Sequence, residues 1–371
     1  MIYLITLWIS LALSRFTLNT QDRCICSNVN VGCNFLIATF PFWFITVFRY
    51  NVGTDYMQYL YGYYYQGIGE SREKEIVFQS LIDFSHYIDF PFFMITLFGT
   101  MTCCLSFYWI YKCSMDIRRS IMIFFLSGFF ILSLTMMRQS ASTALFFLAL
   151  CFFKRKWYLL YFILTYICYL LHSTGGVYII VGLVFIILDK IQFLFNLLKP
   201  KLLIILAGIL YFLGSFLRNQ LMVLTEMAGT YRGYFGSDQD AQNASGTFLL
   251  FGITPFISYW FAHLDIIKRK KMMTEHRMDY IVYTVMCWLS LIFGILRPLI
   301  PNGERIIFLF EPIAILSIPF FVGYTSPKYK KISLYLSYCL FGVCVFWYYY
   351  YKQSLDMFPY HFIFNPTFNI W

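Results

Sequence analysis

Apolar residues run along this chain in blocks of about fifteen to twenty, and the short stretches between the blocks carry nearly all the charge. A helix rising about 1.5 Å per residue needs about 20 such residues to cross the hydrocarbon of a bilayer. On that count the pattern predicts spans near 1–14, 33–48, 90–111, 119–137, 139–153, 157–171, 174–188, 201–217, 247–267, 279–299, 304–323 and 332–350. The expected fold is all-α: a polytopic integral membrane helix bundle of about 12 transmembrane helices, taken as one membrane domain over residues 1–371. The first block and the pair on either side of Arg138 are short, and the pair reads as a tilted or broken hairpin. The run from Met1 to Leu13 lacks a basic leader and a small-residue cleavage site, so it reads as a retained span. Between Glu73 and Ile88 the pattern changes: Val77, Leu81, Phe84 and Ile88 recur at three- and four-residue steps among Gln79, Asp83 and His86. That spacing predicts an amphipathic helix lying on the membrane surface, suited to a lid or entry groove.

Composition narrows the class. With 60% hydrophobic, 22% aromatic and 12% charged residues, there is too little polar surface to cover a soluble globule. A β-barrel, whose strands alternate, is excluded by the continuous apolar runs. The net charge of +10 would point to nucleic acid in a soluble protein; here it follows the orientation of the loops, and no nucleic-acid partner is expected. Of eleven cysteines most lie in or beside apolar runs, and Cys24, Cys26 and Cys33 match no zinc spacing, so no metal or cofactor is expected.

Charge also orients the chain. If the run 268–271 is cytoplasmic, alternation places twelve of fourteen lysines inside, whereas the fourteen arginines split evenly. Arg49, Arg72, Arg138, Arg218, Arg232, Arg297 and Arg305 fall outside. Topology alone depletes both residue types, so retained arginine points to a second use for the guanidinium, whose planar fork binds phosphate or carboxylate. Pairing with outer carboxylates is the plainer alternative. The outer face carries two substantial loops, about 49–89 and 218–246.

Candidate chemistry gathers on that face. Arg49 ends the second span, Gly53 permits a tight turn, and Asp55 caps a following helix. Tyr56, Tyr59, Tyr61, Tyr63, Tyr64 and Tyr65 read either as an interfacial belt or as a platform for sugar rings. Arg138, followed by Gln139, sits between apolar blocks, where a cation normally faces a cavity or partner. His172 lies between two spans and suits proton transfer near neutral pH, or is a satisfied structural residue. Arg232 belongs to a glycine- and tyrosine-rich loop suited to substrate binding, and Arg297, Glu304 and Arg305 flank a short turn. Walker, H-E-x-x-H and G-x-S-x-G motifs are missing, and Glu311-Pro312 is the nearest thing to a mid-span acidic site.

Arg49-x-x-Val-Gly-Thr-Asp-Tyr-x-x-Tyr, then Glu75, Arg138-Gln139 and His172-Ser173 in that order resemble the EpsG family of Wzy-type polysaccharide polymerases, from roughly residue 30 to the last spans. The Gly-Thr-Asp-Tyr element is the most specific part; the C-terminal third matches mainly through the Arg305 span and Pro359-Tyr360-His361. The resemblance implies a glycosyltransferase that joins undecaprenyl-diphosphate-linked oligosaccharide repeats at the outer face of a bacterial inner or plasma membrane, for O-antigen, capsule or exopolysaccharide. The implied partners are that lipid-linked substrate, membrane lipid and a chain-length regulator protein. Arg49, Arg138 and Arg305 are then expected to clamp pyrophosphate, with Arg232, Arg297, Tyr56, Tyr59, Glu75, Gln139 and Glu304 binding pyrophosphate or sugar, and His172 or Asp55 as base. The alternatives are a flippase or exporter of the same lipid-linked sugar, an O-antigen ligase-like enzyme, and a sugar acyltransferase.

Overall fold

The structure, a computed structural model, describes residues 1–16, 33–64, 76–227, 247–296, 303–347 and 360–364, with the side chains of 76, 192, 214–227, 247–248 and 303–304 excepted. The described elements are helical apart from one isolated bridge between Arg49 and Phe362. Two compact units emerge, Met1–Val184 with Tyr348–Trp371, and Phe185–Trp347.

The first unit holds α1 (Ile2–Phe16), α2 (Asn34–Val47), α3 (Tyr56–Tyr64), α4 (Ile76–Tyr87), α5 (Phe93–Cys113), α6 (Ile117–Leu126), α7 (Phe129–Ser133), α8 (Met137–Phe153) and α9 (Tyr158–Leu171). A 3₁₀ turn, Ser173–Gly176, leads into α10 (Val177–Lys190), which runs on into the second unit. There follow α11 (Gln192–Asn196), α12 (Pro200–Met227), α13 (Thr247–Ala262), α14 (Ile266–Glu275), α15 (Arg277–Leu296), α16 (Gly303–Phe310), the 3₁₀ turn Glu311–Ile313, α17 (Ala314–Tyr324) and α18 (Pro327–Val345).

Among the described residues the apolar blocks are helical, and four helical segments are long and apolar enough to cross a membrane: Phe93–Cys113, Ser173–Lys190, Arg277–Leu296 and Arg305–Tyr324. A fifth arises if Leu249–Ala262 and Ile266–Glu275, bent by 107°, form one broken span. Shorter apolar helices are Ile2–Arg15, Asn34–Val47, Met137–Phe153, Tyr158–Leu171 and Pro200–Leu213, so length and apolarity establish four or five spans among the described residues. The block expected at 119–137 is broken where Gly128 takes φ 80° between α6 and α7, and again before Met137. Leu159 (78% exposed), Ile180 (63%) and Phe212 (76%) stand on helix exteriors, a surface suited to hydrocarbon and unlike that of an aqueous globule.

Helices pack closely where glycine removes a side chain, the usual solution when lipid supplies no hydrophobic drive. A Cβ on Gly99 of α5 would stand 2.7 Å from the Thr46 methyl of α2, and one on Gly252 of α13 would stand 2.5 Å from the Ser290 carbonyl of α15. Stacked rings fill the layers between: Trp109 lies on Phe147 at 3.8 Å, and Phe146 on Tyr178 at 3.8 Å. In the second unit Tyr259 and Tyr280 both donate to the Leu198 carbonyl, at 3.0 and 2.7 Å. Arg277 pairs with Asp189 at 3.0 Å and lies 4.1 Å over Phe195.

Glu311 is one of several buried side chains with a polar atom that lacks a hydrogen bond among the described residues. It is fully buried at the 3₁₀ turn between α16 and α17, and neither carboxyl oxygen has a hydrogen-bond partner among the described residues. An unpartnered buried polar group costs about 1–3 kcal/mol relative to an apolar isostere. Glu311→Leu is therefore expected to raise the melting temperature of the purified protein by a few degrees, read by tryptophan fluorescence. A lower melting temperature would show that the carboxyl is held by a partner.

Candidate functional site

The site grows from the end of α2. Phe48, Arg49 and Tyr50 leave the helix beside the segment 360–364: Tyr50 N–H donates to the His361 carbonyl at 2.9 Å, and Ile363 N–H to that of Phe48 at 3.0 Å. The Tyr360 hydroxyl donates to the Ile45 carbonyl at 2.6 Å. Arg49 is fully buried, and its guanidinium is spent on backbone: Nε donates to Val52 O at 3.2 Å, Nη1 to Thr46 O, and Nη2 to Leu134 O at 3.1 Å and to the Met137 sulfur. The Tyr56 ring lies 5.6 Å beneath it, and the Tyr56 hydroxyl donates to the Arg49 carbonyl at 3.0 Å. Burial lowers the Arg49 pKa, and the surrounding tyrosines Tyr56, Tyr360 and Tyr3 oppose that shift. Arg49 thus ties the end of α2 and the turn that follows it to the distant segment Leu134–Met137.

Gly53 serves the same junction. Its φ of +96° admits few residues but glycine, and a Cβ there would stand 2.4 Å from the Leu134 carbonyl that Arg49 also contacts. Leu134 caps α7, and its neighbours Thr135 and Met136 turn the chain into α8. The Arg-x-x-x-Gly element of the sequence therefore grips the break from which α8 starts, and Arg138 sits in the first turn of α8.

Arg138 is half-buried, with its guanidinium 4.1 Å over the Phe78 ring of α4. Tyr59 of α3 packs edge-on against Phe78 at 6.0 Å and against Phe98 at 6.1 Å. Burial pushes the Tyr59 phenol up to about 12, against a lowering by the Arg138 charge and hydrogen bond and with a further raising by Asp55. Tyr59 thus lies within electrostatic reach of both Arg138 and Asp55. Asp55 is half-buried at the start of α3, with its Oδ1 accepting from Thr54 at 3.3 Å. Gln139 is buried behind Arg138.

His172 reaches the same end of the bundle by helix register. Ser142 of α8 donates to Cys168 O at 3.1 Å, and the Cys168 thiol returns a bond to Ser142 O at 3.2 Å. Arg138 and His172 each lie one helical turn beyond that reciprocal pair, in the same direction. Gly175 permits the contact, since its Cβ would stand 2.5 Å from Cys168 O. His172 caps α9; its Nδ1 meets the Thr174 hydroxyl at 2.7 Å and accepts from Thr174 N–H at 3.4 Å. With Nδ1 accepting, the neutral ring carries its proton on Nε2.

Arg138, Asp55, Tyr59, Gln139 and His172 therefore belong to one end of the first unit, whereas Arg49 and Tyr56 form the frame beneath them. Arg305 stands exposed in the first turn of α16, in the second unit. Glu75, Arg232, Arg297 and the side chain of Glu304 lie outside the described residues, as does most of the loop 218–246. The α4 helix forms as expected, but turned: Phe78, Ile82 and Ser85 are buried while Phe84 and Ile88 are exposed, because Phe78 covers the Arg138 guanidinium. Phe78 went unnamed in the sequence because the three- and four-residue count fits the neighbouring face equally well. Beside it, Tyr63 stacks on His86 at 4.3 Å and donates to Asp89 at 2.7 Å, a bond that raises the Tyr63 pKa. Among the described residues no cluster of three His, Cys, Asp or Glu side chains is disposed to hold a metal ion.

The two arginines separate experimentally. Gly53→Ala and Arg49→Lys are expected to lower the melting temperature and the yield of folded protein, Gly53→Ala by about 1–3 kcal/mol of backbone strain, and Arg49→Lys because an ammonium gathers its donors on one nitrogen and lacks the planar fork whose three nitrogens reach these acceptors. Arg138→Lys is expected to leave both unchanged, as checked by size-exclusion chromatography and thermal unfolding.

Comparison with curated proteins and with solved structures returned no match. The sequence profile of the EpsG family matches residues 33–362, a stretch that contains Arg49, Asp55, Tyr59, Arg138, Gln139 and His172. The chain belongs to the EpsG family.

Proposed function

We propose that this protein is a polysaccharide polymerase that joins undecaprenyl-diphosphate-linked oligosaccharide repeats at the outer face of the bacterial inner or plasma membrane, with its short apolar helices completing about twelve membrane segments in a single membrane domain. Membership of the EpsG family supports a membrane protein of polysaccharide-polymerase type. The observation that carries the finer reading is the grouping of Arg138, Asp55, Tyr59 and His172 at one end of the first unit, on a frame held by Arg49.

In this reading Arg138 binds the pyrophosphate of the donor, the growing chain on its lipid carrier, helped by the positive end of the α8 dipole. The acceptor hydroxyl of the incoming repeat attacks the anomeric carbon, the bond from that carbon to the pyrophosphate oxygen breaks, and undecaprenyl diphosphate leaves. Charge grows on the departing oxygens, where a fixed guanidinium lowers the barrier. Asp55 accepts the hydroxyl proton. His172, with its proton on Nε2, is the donor and completes the anion site. Tyr59 orients Arg138, and Gln139 backs it. Arg297, Arg305, Glu304, Arg232 and Glu75 enter as substrate-binding candidates from sequence alone, and a chain-length regulator is the expected protein partner. No cofactor is required when arginine carries the charge.

A deletion strain complemented with wild type or Arg138→Ala, with surface polysaccharide resolved by gel, tests this reading. Arg138→Ala at normal membrane abundance is expected to cut polymer formation by about 10²–10³ and to leave single repeats. Near-normal ladders would remove Arg138 from the mechanism. Loss of even single repeats from the surface in the deletion strain would move the function to translocation of the lipid-linked sugar.

A further inference from the structure

We infer that α14 is an in-plane helix that binds anionic phospholipid headgroups of the membrane the chain spans. It follows α13 after a bend of 107°, so it turns away from the line of that apolar helix at its end. Asp265 caps it, accepting from the N–H groups of Ile267 and Lys268 at 3.1 Å each. One face is fixed to its own unit: Met272 is fully buried, and Lys268 Nζ donates to Thr325 O at 3.0 Å. The opposite face has no such anchoring. Ile266 (60% exposed) and Ile267 (81%) stand on it, with Leu264 (48%) just before.

The two isoleucines share that face with Lys270 and Lys271, which lie one turn on at i+4 and are exposed. Lys271 has Glu275 at 3.8 Å, an exposed pair too weak to satisfy it. Two exposed isoleucines interleaved with lysines are poorly suited to water and well suited to a headgroup layer. The apolar side chains enter the acyl boundary, while the lysine stems run beside them to reach phosphate oxygens. The turn contacted by Lys268 opens α18, which adds Lys328, Lys330 and Lys331 to the same basic edge. Orientation by the positive-inside rule explains basic residues in this loop but not the exposed Leu264, Ile266 and Ile267. Charge and apolarity together fit an anionic bilayer surface, where each nearby lysine strengthens attraction.

Native mass spectrometry of the purified full chain, titrated with phosphatidylglycerol or phosphatidylcholine of matched acyl chains, tests the assignment. Wild type is expected to retain about tenfold more of the anionic lipid, a preference that declines as salt rises. Lys270→Gln with Lys271→Gln should abolish the preference, and Ile266→Ser with Ile267→Ser should weaken retention of the anionic lipid. Equal retention of the two lipids by wild type, or an unchanged preference in the lysine variant, overturns the inference. Competition by millimolar inorganic phosphate would also overturn it, by showing a free-phosphate site instead of a lipid surface. Should the double lysine variant elute aggregated, Lys270→Gln alone is expected to reduce the preference severalfold, and an unchanged preference in it overturns the inference as well.

Discussion

The first unit turns on the carbonyl of Leu134. Leu134 caps a five-residue helix, at the break in the chain before α8. A carbonyl freed by a helix break inside a membrane protein has no water to meet, so it must find a donor or impose a cost of several kcal/mol. Arg49 supplies that donor from the end of α2, and Gly53 allows the backbone before α3 to close over the same group. With its other nitrogens on Thr46 and Val52, one side chain satisfies three carbonyls and joins its own segment to the distant break at Leu134. The position of Arg138 follows, because the break that Arg49 and Gly53 hold is the start of the helix that carries it.

A second constraint fixes the depth and partners of the site. The reciprocal bonds of Ser142 and Cys168 set the register of α8 against α9, and stacking of Phe146 on Tyr178 extends the interface through α10. Register, more than side-chain reach, brings Arg138 and His172 to one level. Above them α4 contributes a ring and no charge: Phe78 lies over the guanidinium and Tyr59 flanks it. A planar cation against aromatic faces keeps its charge while losing water, which is the condition in which an anion contact becomes strong.

Much of this was legible in the sequence, and the illegible parts have physical causes. Apolar blocks announced the helices because burial in hydrocarbon leaves no other backbone solution. Loop orientation put Asp55, Arg138 and His172 on one face, and resemblance put them in one motif order; no periodicity links them, since they span 55 to 172. The break at Gly128 was hidden by apolar neighbours on both sides, and it divides one long block into the short helices α6 and α7. The buried face of α4 was misread because Val77, Leu81, Phe84 and Ile88 satisfy helical spacing as well as Phe78, Ile82 and Ser85 do; tertiary contact with Arg138 decided between them.

The same contacts reinterpret the excess of arginine over lysine on the face assigned outward. That bias was read as a demand for anion binding, yet Arg49 meets it with none: its fork is occupied by carbonyls and a sulfur. Arg138 uses the plane of the group, lying on Phe78. Arg305 stands exposed in the first turn of its helix. Each of the first two roles favours arginine for its own reason, since an ammonium gathers its donors at one point and has no plane to lay on a ring. Arginine enrichment on such a face therefore reports a need for guanidinium geometry. Burial then separates its uses: the fully buried arginine builds the frame, and the half-buried one is the arginine we propose for the anion.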